Sequence, residues 1–245
     1  MAGPSLALKG VMLGWGAFCG THLFMSHTPV RNWLVDKLGE KGFLSTYSAV
    51  AVGTLAPAAY AYLIGRGRGP VVHTLGENTA VNWIGSGLKW MGFFTSVQGM
   101  VNPSPISKKA HLHMKKNEDV EVTGIHRITR HPVFAGAAIW GLGCMLQRGR
   151  LIDLVFWGGF PFIYLIGGLH QDSRFTDAYP ASYWRKTSLI PFGAVVAGEQ
   201  SVTQAYQEMS STSLRLTLFA GLLALALRGR LRREFWLPSR QYKAW

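Results

Sequence analysis

The chain has 245 residues, 48% hydrophobic and only 15% charged, with a mean hydropathy of +0.14. That balance excludes an ordinary water-soluble domain, and two cysteines, Cys19 and Cys144, each inside an apolar block, exclude a disulfide framework. The formal charge of +13 is carried by residues lying between apolar blocks, which argues against nucleic acid and for lipid phosphate or an acidic protein neighbour as the partner.

Apolar runs occur at residues 8–25, 47–64, 81–101, 133–146, 151–169 and 213–227. A hydrocarbon core of about 30 Å takes roughly 20 helical residues, so the first, second, third and fifth runs suffice to cross. The first run lacks a charged leader and a cleavage site and is expected to be a retained membrane helix. Its Gly10, Gly14, Gly16 and Gly20 offer a close approach to another helix. The fourth run is short and joined to the fifth through Gln147-Arg148-Gly149-Arg150, a tight helical hairpin. The sixth either spans or lies along the interface.

The expected fold is therefore an all-α integral membrane protein, a bundle of five to six transmembrane helices. Residues 1–200 form its main domain, and 201–245 an extension with a short sixth helix and a basic, aromatic tail. Lysines and arginines divide almost evenly between the two loop sets, eleven against twelve, so the charge rule assigns no orientation. Nine of the twelve acids fall on the second set, leaving the first the more positive surface.

The densest chemical signal runs from Gly124 to Gly136, GIHRITRHPVFAG. Pro132 suits a first helical turn, which places His131 just outside the helix beside its free N–H groups, together with Arg127 and Arg130. A helix start flanked by two arginines is an anion site, open to lipid phosphate. A second cluster, His170, Asp172 and Arg174, follows the fifth run on the same expected face, so an Asp172 pair with Arg127 or Arg130 is expected. Arg127, Arg130 and Arg174 are the candidate contacts for an anionic headgroup, with cardiolipin-type phospholipid as the bound lipid. His22 ends the first run on that face too, and His22 with His131 are candidate ligands of one haem iron. Cys144 stands 13 residues past His131, about 20 Å along a helix, too far to share a site with it.

Three blocks, GTHLFMSHTPVRNWLVDKLGEKGFLSTYSAV, ITRHPVFAGAAIWGLG, and DSRF with TSLIPFGAVVAGEQ, resemble the NnrU family, which includes the plant and cyanobacterial zeta-carotene cis-trans isomerases. The resemblance covers roughly residues 8–200. It implies haem b held by membrane histidines, with His22 standing at the family's first-helix histidine. Cys144 stands where the isomerases carry a haem-ligand histidine, and a thiolate can also ligate haem. The segment RITRHPVFAG with a later acid is also similar to membrane methyltransferases acting on isoprenylcysteine or phospholipids. In those, the RHP segment and the acid hold S-adenosylmethionine; here Phe134 replaces the usual Tyr and Asp172 the usual Glu.

Three readings follow. The leading one is a non-catalytic accessory subunit bound to other membrane subunits of a respiratory-type complex in the mitochondrial inner membrane. It rests on the replaced histidine and on a basic, aromatic tail suited to a partner surface. The others are a haem-dependent isomerase or redox sensor, in a plastid or bacterial membrane, and an S-adenosylmethionine-dependent methyltransferase.

Overall fold

The computed structural model describes residues 4–103, 120–209 and 211–226. The basic aromatic tail and much of the polar loop before the fourth apolar run lie outside them. Among the described residues every regular element is helical. These elements are α1 (Pro4–Ser26), α2 (Thr28–Gly65), α3 (Thr79–Val101), α4 (Pro132–Gln147), α5 (Leu151–Phe175), α6 (Ala181–Lys186), α7 (Gly193–Val196), α8 (Val202–Gln207) and α9 (Ser211–Ala226). Short 3₁₀ turns stand at Leu75–Glu77 and Gly124–Arg127.

All six apolar runs are helical over their described residues. Two helices, α2 and α5, are both long and apolar enough to cross a membrane, whereas α4 and the apolar stretch Leu214–Leu223 of α9 are shorter. The expected bundle of five to six spans thus reduces to an all-helical chain with two helices of spanning length and composition. The shortfall at α3 has a visible cause: Asn82, Ser86, Lys89, Thr95 and Gln98 are buried on a helix that otherwise reads as apolar. Five polar side chains dilute its hydropathy while packing inside the protein.

The chain divides into two compact units, residues 1–75 with 148–159 and residues 76–147 with 160–245. In the first, α1 packs on α2 through small residues: a methyl group added at Gly10 would stand 2.9 Å from Ala61 Cβ, and one at Gly14 2.5 Å from Ala58 Cβ. Gly16 and Gly20 face open space, so only half of the expected glycine stripe is a helix contact. Helix α2 breaks at Gly39, whose φ of 70° is costly for any residue with a Cβ. A buried polar knot closes this unit. Tyr62 donates its hydroxyl proton to Asp153 at 2.8 Å and accepts from Arg148 Nη1 at 2.6 Å and Trp157 Nε1 at 3.1 Å, while its ring stacks on Phe156 at 4.3 Å. Low local dielectric makes such a network stabilising only when every member is satisfied.

In the second unit α3 and α4 run antiparallel with their backbones in contact. Gly85, Gly92 and Gly99 recur every seven residues on α3 and meet Gly143, Gly136 and Pro132 of α4 in reverse order. A methyl at Gly85 would lie 2.9 Å from the Gly143 carbonyl, and one at Gly143 2.5 Å from the Gly85 carbonyl. Gln147 ends the seam, donating to the Asn82 carbonyl at 2.7 Å and to Ser86 Oγ at 2.9 Å. Helix α9 lies on the other side of α3, where Gly221 faces the Trp90 ring.

Replacement of Gly92 or Gly136 by Leu should cost about 3 kcal/mol, the scale of overpacking a close-packed core. A melting temperature in detergent unchanged from wild type would contradict the glycine seam; Gly16→Leu, in open space, serves as the neutral comparison.

Candidate functional site

The site lies in the second unit, where an irregular segment meets the start of α4. Gly124 adopts φ 56°, opening a 3₁₀ turn that ends at Arg127. Residues 128–131 then run without helix to Pro132, which begins α4 because its missing N–H would have no partner there. The segment is tied to the stretch after α6. Arg130 N donates to the Ser188 carbonyl at 2.8 Å, Phe192 N to the Ile128 carbonyl at 2.8 Å and Thr129 Oγ1 to the Leu189 carbonyl at 3.1 Å.

Asp172, near the end of α5, is the hub. Its Oδ1 accepts from His131 Nε2 at 2.8 Å and its Oδ2 from Arg130 Nη1. Arg130 also donates through Nε to Thr187 Oγ1 at 2.9 Å and through Nη2 to the Thr187 carbonyl at 3.1 Å, with its guanidinium 4.3 Å from the Trp184 ring centre. Arginine's planar fork suits this combination of bridging and stacking. The side chains of His131 and Arg130 are 3% and 8% exposed, so the ion pair is held away from water. Gly168 of α5 faces the imidazole edge, where even a methyl would stand 3.4 Å from Cδ2.

Arg127 turns the other way. It forms a two-pronged pair with Glu208, Nε to Oε2 at 2.7 Å and Nη2 to Oε1 at 2.8 Å, and donates to Gln200 Oε1 at 2.6 Å. Gly124 N adds a backbone bond to the same carboxylate at 2.9 Å. The Arg127 contact, followed by this backbone bond, lowers Glu208 to about 2, well under the usual glutamate range.

Beside the ion-pair hub lies a cavity of about 260 Å³ walled by Met100, Pro103, Arg130, His131, Phe134 and Gln171, among others. It is apolar on most of its surface, and the hub residues that line it are Arg130 and His131.

Asp172 stands with Arg130, whereas Arg127 stands with Glu208. Both arginines expected to meet phosphate at the helix start are held by carboxylates, and Arg174 lies 5.3 Å from the Phe175 ring centre. The His131 side chain engages Asp172, and its carbonyl accepts from Ala135 N at 2.9 Å. Thr187 belongs to the polar cluster that follows the fifth apolar run, whereas Glu208, Trp184 and Gln171 were not singled out in the sequence. They lie 41 to 81 residues from Arg127 or Arg130, and no spacing rule brings them there.

His131 Nε2 is bonded to Asp172, and Cys144 is buried about 20 Å further along α4, too far to share a site with it. His22 belongs to the first unit, packed between the rings of Phe18 at 5.0 Å and Tyr47 at 4.5 Å. Among the described residues no cluster of three or more His, Cys, Asp or Glu side chains suits a metal ion.

Asp172→Asn should destabilise the fold by about 3 kcal/mol, because Arg130 would be left buried without its counter-charge; equal melting temperatures for variant and wild type would refute the hub. Glu208 predicts a second effect. Its folded pKa lies below its unfolded value, so its contribution is complete above pH about 4.5 and is lost as pH falls through about 2. Acid titration of unfolding should therefore show a loss of stability over that window that Glu208→Gln removes, and an identical titration of the two proteins would contradict it.

The family model described as NnrU protein matches residues 11–229, running past residue 200 and through α9. Among curated proteins the chain is 28% identical over 129 residues to the chloroplastic 15-cis-zeta-carotene isomerase of Zea mays, covering 51% of this chain and 33% of the relative. It is 26% identical over 178 residues to the protein of the same name from Arabidopsis thaliana, covering 69% of this chain and 46% of that relative. The matched stretches thus span between a third and a half of the length of these relatives. No solved structure matches. With most of its length matched by one family model, the chain belongs to the NnrU family.

Proposed function

We propose that this protein is a membrane isomerase of the NnrU family, acting on double-bond geometry in an elongated, unsaturated isoprenoid. The observation that carries the reading is the cavity beside the His131–Asp172–Arg130 hub, apolar over most of its wall and lined by the hub's His131 and Arg130. The names of the two relatives supply the substrate class, 15-cis-zeta-carotene. About 260 Å³ accommodates a bent section of such a chain rather than all of it, so the remainder would run along the apolar helix faces.

The hub's task in this reading is positional. Asp172 holds the His131 ring in one orientation at the cavity wall, and Arg130, anchored by Thr187 and Trp184, holds Asp172. Phe134 and Met100 pack against the bound polyene and exclude water from it.

The accessory-subunit reading for a respiratory complex finds no support in the relatives, both of which are named as isomerases. Their chloroplastic names likewise favour a plastid membrane over the mitochondrial inner membrane. With two helices of spanning length and four further apolar helices, the chain is read as integral to that membrane.

The test is conversion of 15-cis-zeta-carotene by membranes containing the full chain, followed by chromatography of the isomers. Loss of the 15-cis form is expected with wild type, falling at least about tenfold with Phe134→Trp, which fills the cavity, and with His131→Ala, a barrier change of about 1.4 kcal/mol or more. Wild-type membranes that leave the isomer ratio at the level of empty membranes would overturn the proposal.

A further inference from the structure

The sequence contains two Arg-Gly-Arg turns in the first unit, residues 66–68 and 148–150, eighty residues apart in the chain, and the fold sets them side by side. Val72 N donates to the Gly149 carbonyl at 2.7 Å, Leu151 N to the Pro70 carbonyl at 3.0 Å, and Val71 and Arg150 form an antiparallel bridge. Gly67 and Gly69 take φ of 78° and 86°, which only glycine adopts without strain, and Gly149 packs directly on the His73 backbone. The pairing is thus built into the backbone.

Its position is informative. The first turn follows the last residue of α2, Gly65, and the second precedes the first residue of α5, Leu151. These are the two helices long and apolar enough to cross a membrane, so the paired turns stand where such helices would leave the hydrocarbon. Ala7 of α1 packs on Gly65, which brings exposed Lys9 to the same end. Arg148 points inward to Tyr62, whereas Arg68 is exposed and Arg66 and Arg150 are half-exposed. Within the first unit five cations therefore meet one acid at this end, Asp153, itself buried and bonded to Tyr62, while Glu77 follows in the chain five residues after Val72. The unit's other acids, Asp36 and Glu40, lie at the Gly39 break, about 39 Å down the helix. Val71 and Val72, 53% and 57% exposed, add an apolar edge to the same turn.

We propose that the paired Arg-Gly-Arg turns are a binding site for the phosphate of an anionic membrane lipid, with Arg66, Arg68 and Arg150 around the headgroup and Val71 and Val72 against its acyl chains. Lipid rather than free phosphate is the ligand because the cations and exposed valines share one turn at the ends of the spanning-length helices. Neither Arg127 nor Arg130, both paired with carboxylates, takes part. The site is independent of the isomerase reading, since all of its residues belong to the first unit.

The test uses the full chain purified in mild detergent and mixed with phosphatidylglycerol, phosphatidylcholine or inorganic phosphate, with bound molecules counted by native mass spectrometry. Wild type is expected to retain phosphatidylglycerol in preference to phosphatidylcholine. Arg66→Gln/Arg68→Gln/Arg150→Gln should lower that retention about a hundredfold, at about a factor of five for each basic residue beside an anionic lipid. Lys37→Gln/Lys41→Gln/Lys186→Gln removes the same charge elsewhere and should retain phosphatidylglycerol like wild type. Should the triple variant melt early, Arg68→Gln alone, at an exposed position, should still lower retention about fivefold. Equal retention by the two triple variants, an unchanged Arg68→Gln, or inorganic phosphate retained as strongly as the lipid would each overturn the site.

Discussion

Backbone lies against backbone where α3 meets α4, and the rest of the second unit is arranged around that seam. Gly85 and Gly92 bring the α3 backbone against the carbonyl oxygens of Gly143 and Gly136, and Gly99 receives the Pro132 ring. Dispersion contacts are densest at this separation, and any Cβ would force the helices apart. The last contact of the series seats Pro132 on Gly99, which fixes where α4 begins and therefore where His131 and Arg130 project.

From that starting point the site follows by electrostatics. A buried arginine and a histidine at a helix start would be costly in isolation, and Asp172 on α5 answers both with one carboxylate. Thr187, the Thr187 carbonyl and the Trp184 face take the remaining valences of Arg130, so the guanidinium holds its orientation. Arg127 is handled separately by Glu208 and Gln200, which tie the turn before the site to α8 and its flank. A segment that reads as a basic patch is therefore internally neutralised. The adjoining cavity is left with an apolar wall, suited to a hydrocarbon rather than an anion.

Helix positions were legible from the sequence because a run of apolar residues long enough to lie in lipid or in a core admits few other structures. Pro132 marked the start of α4 for a local reason, its missing N–H, and Gly10 and Gly14 marked a helix contact through their missing side chains. Spanning was less legible. Summed hydropathy treats Asn82, Ser86, Lys89, Thr95 and Gln98 alike wherever they point, although all five are buried in the packed protein. The seven-residue glycine period of α3 was present in the sequence and is as direct a signal as the glycine pairs of α1. Glu208 left no such trace, because pairing across 81 residues depends on how intervening helices fold back.

By itself, the sequence determined the helical class, the family blocks and the chemistry available near residue 131, all properties of local composition and spacing. Which charge meets which was decided only by tertiary structure. Arg127 and Arg130 are three residues apart yet pair with acids on different elements, and two Arg-Gly-Arg turns eighty residues apart become neighbours. Electrostatic energy depends on distance in space, and chain separation carries no information about that distance until the helices are packed.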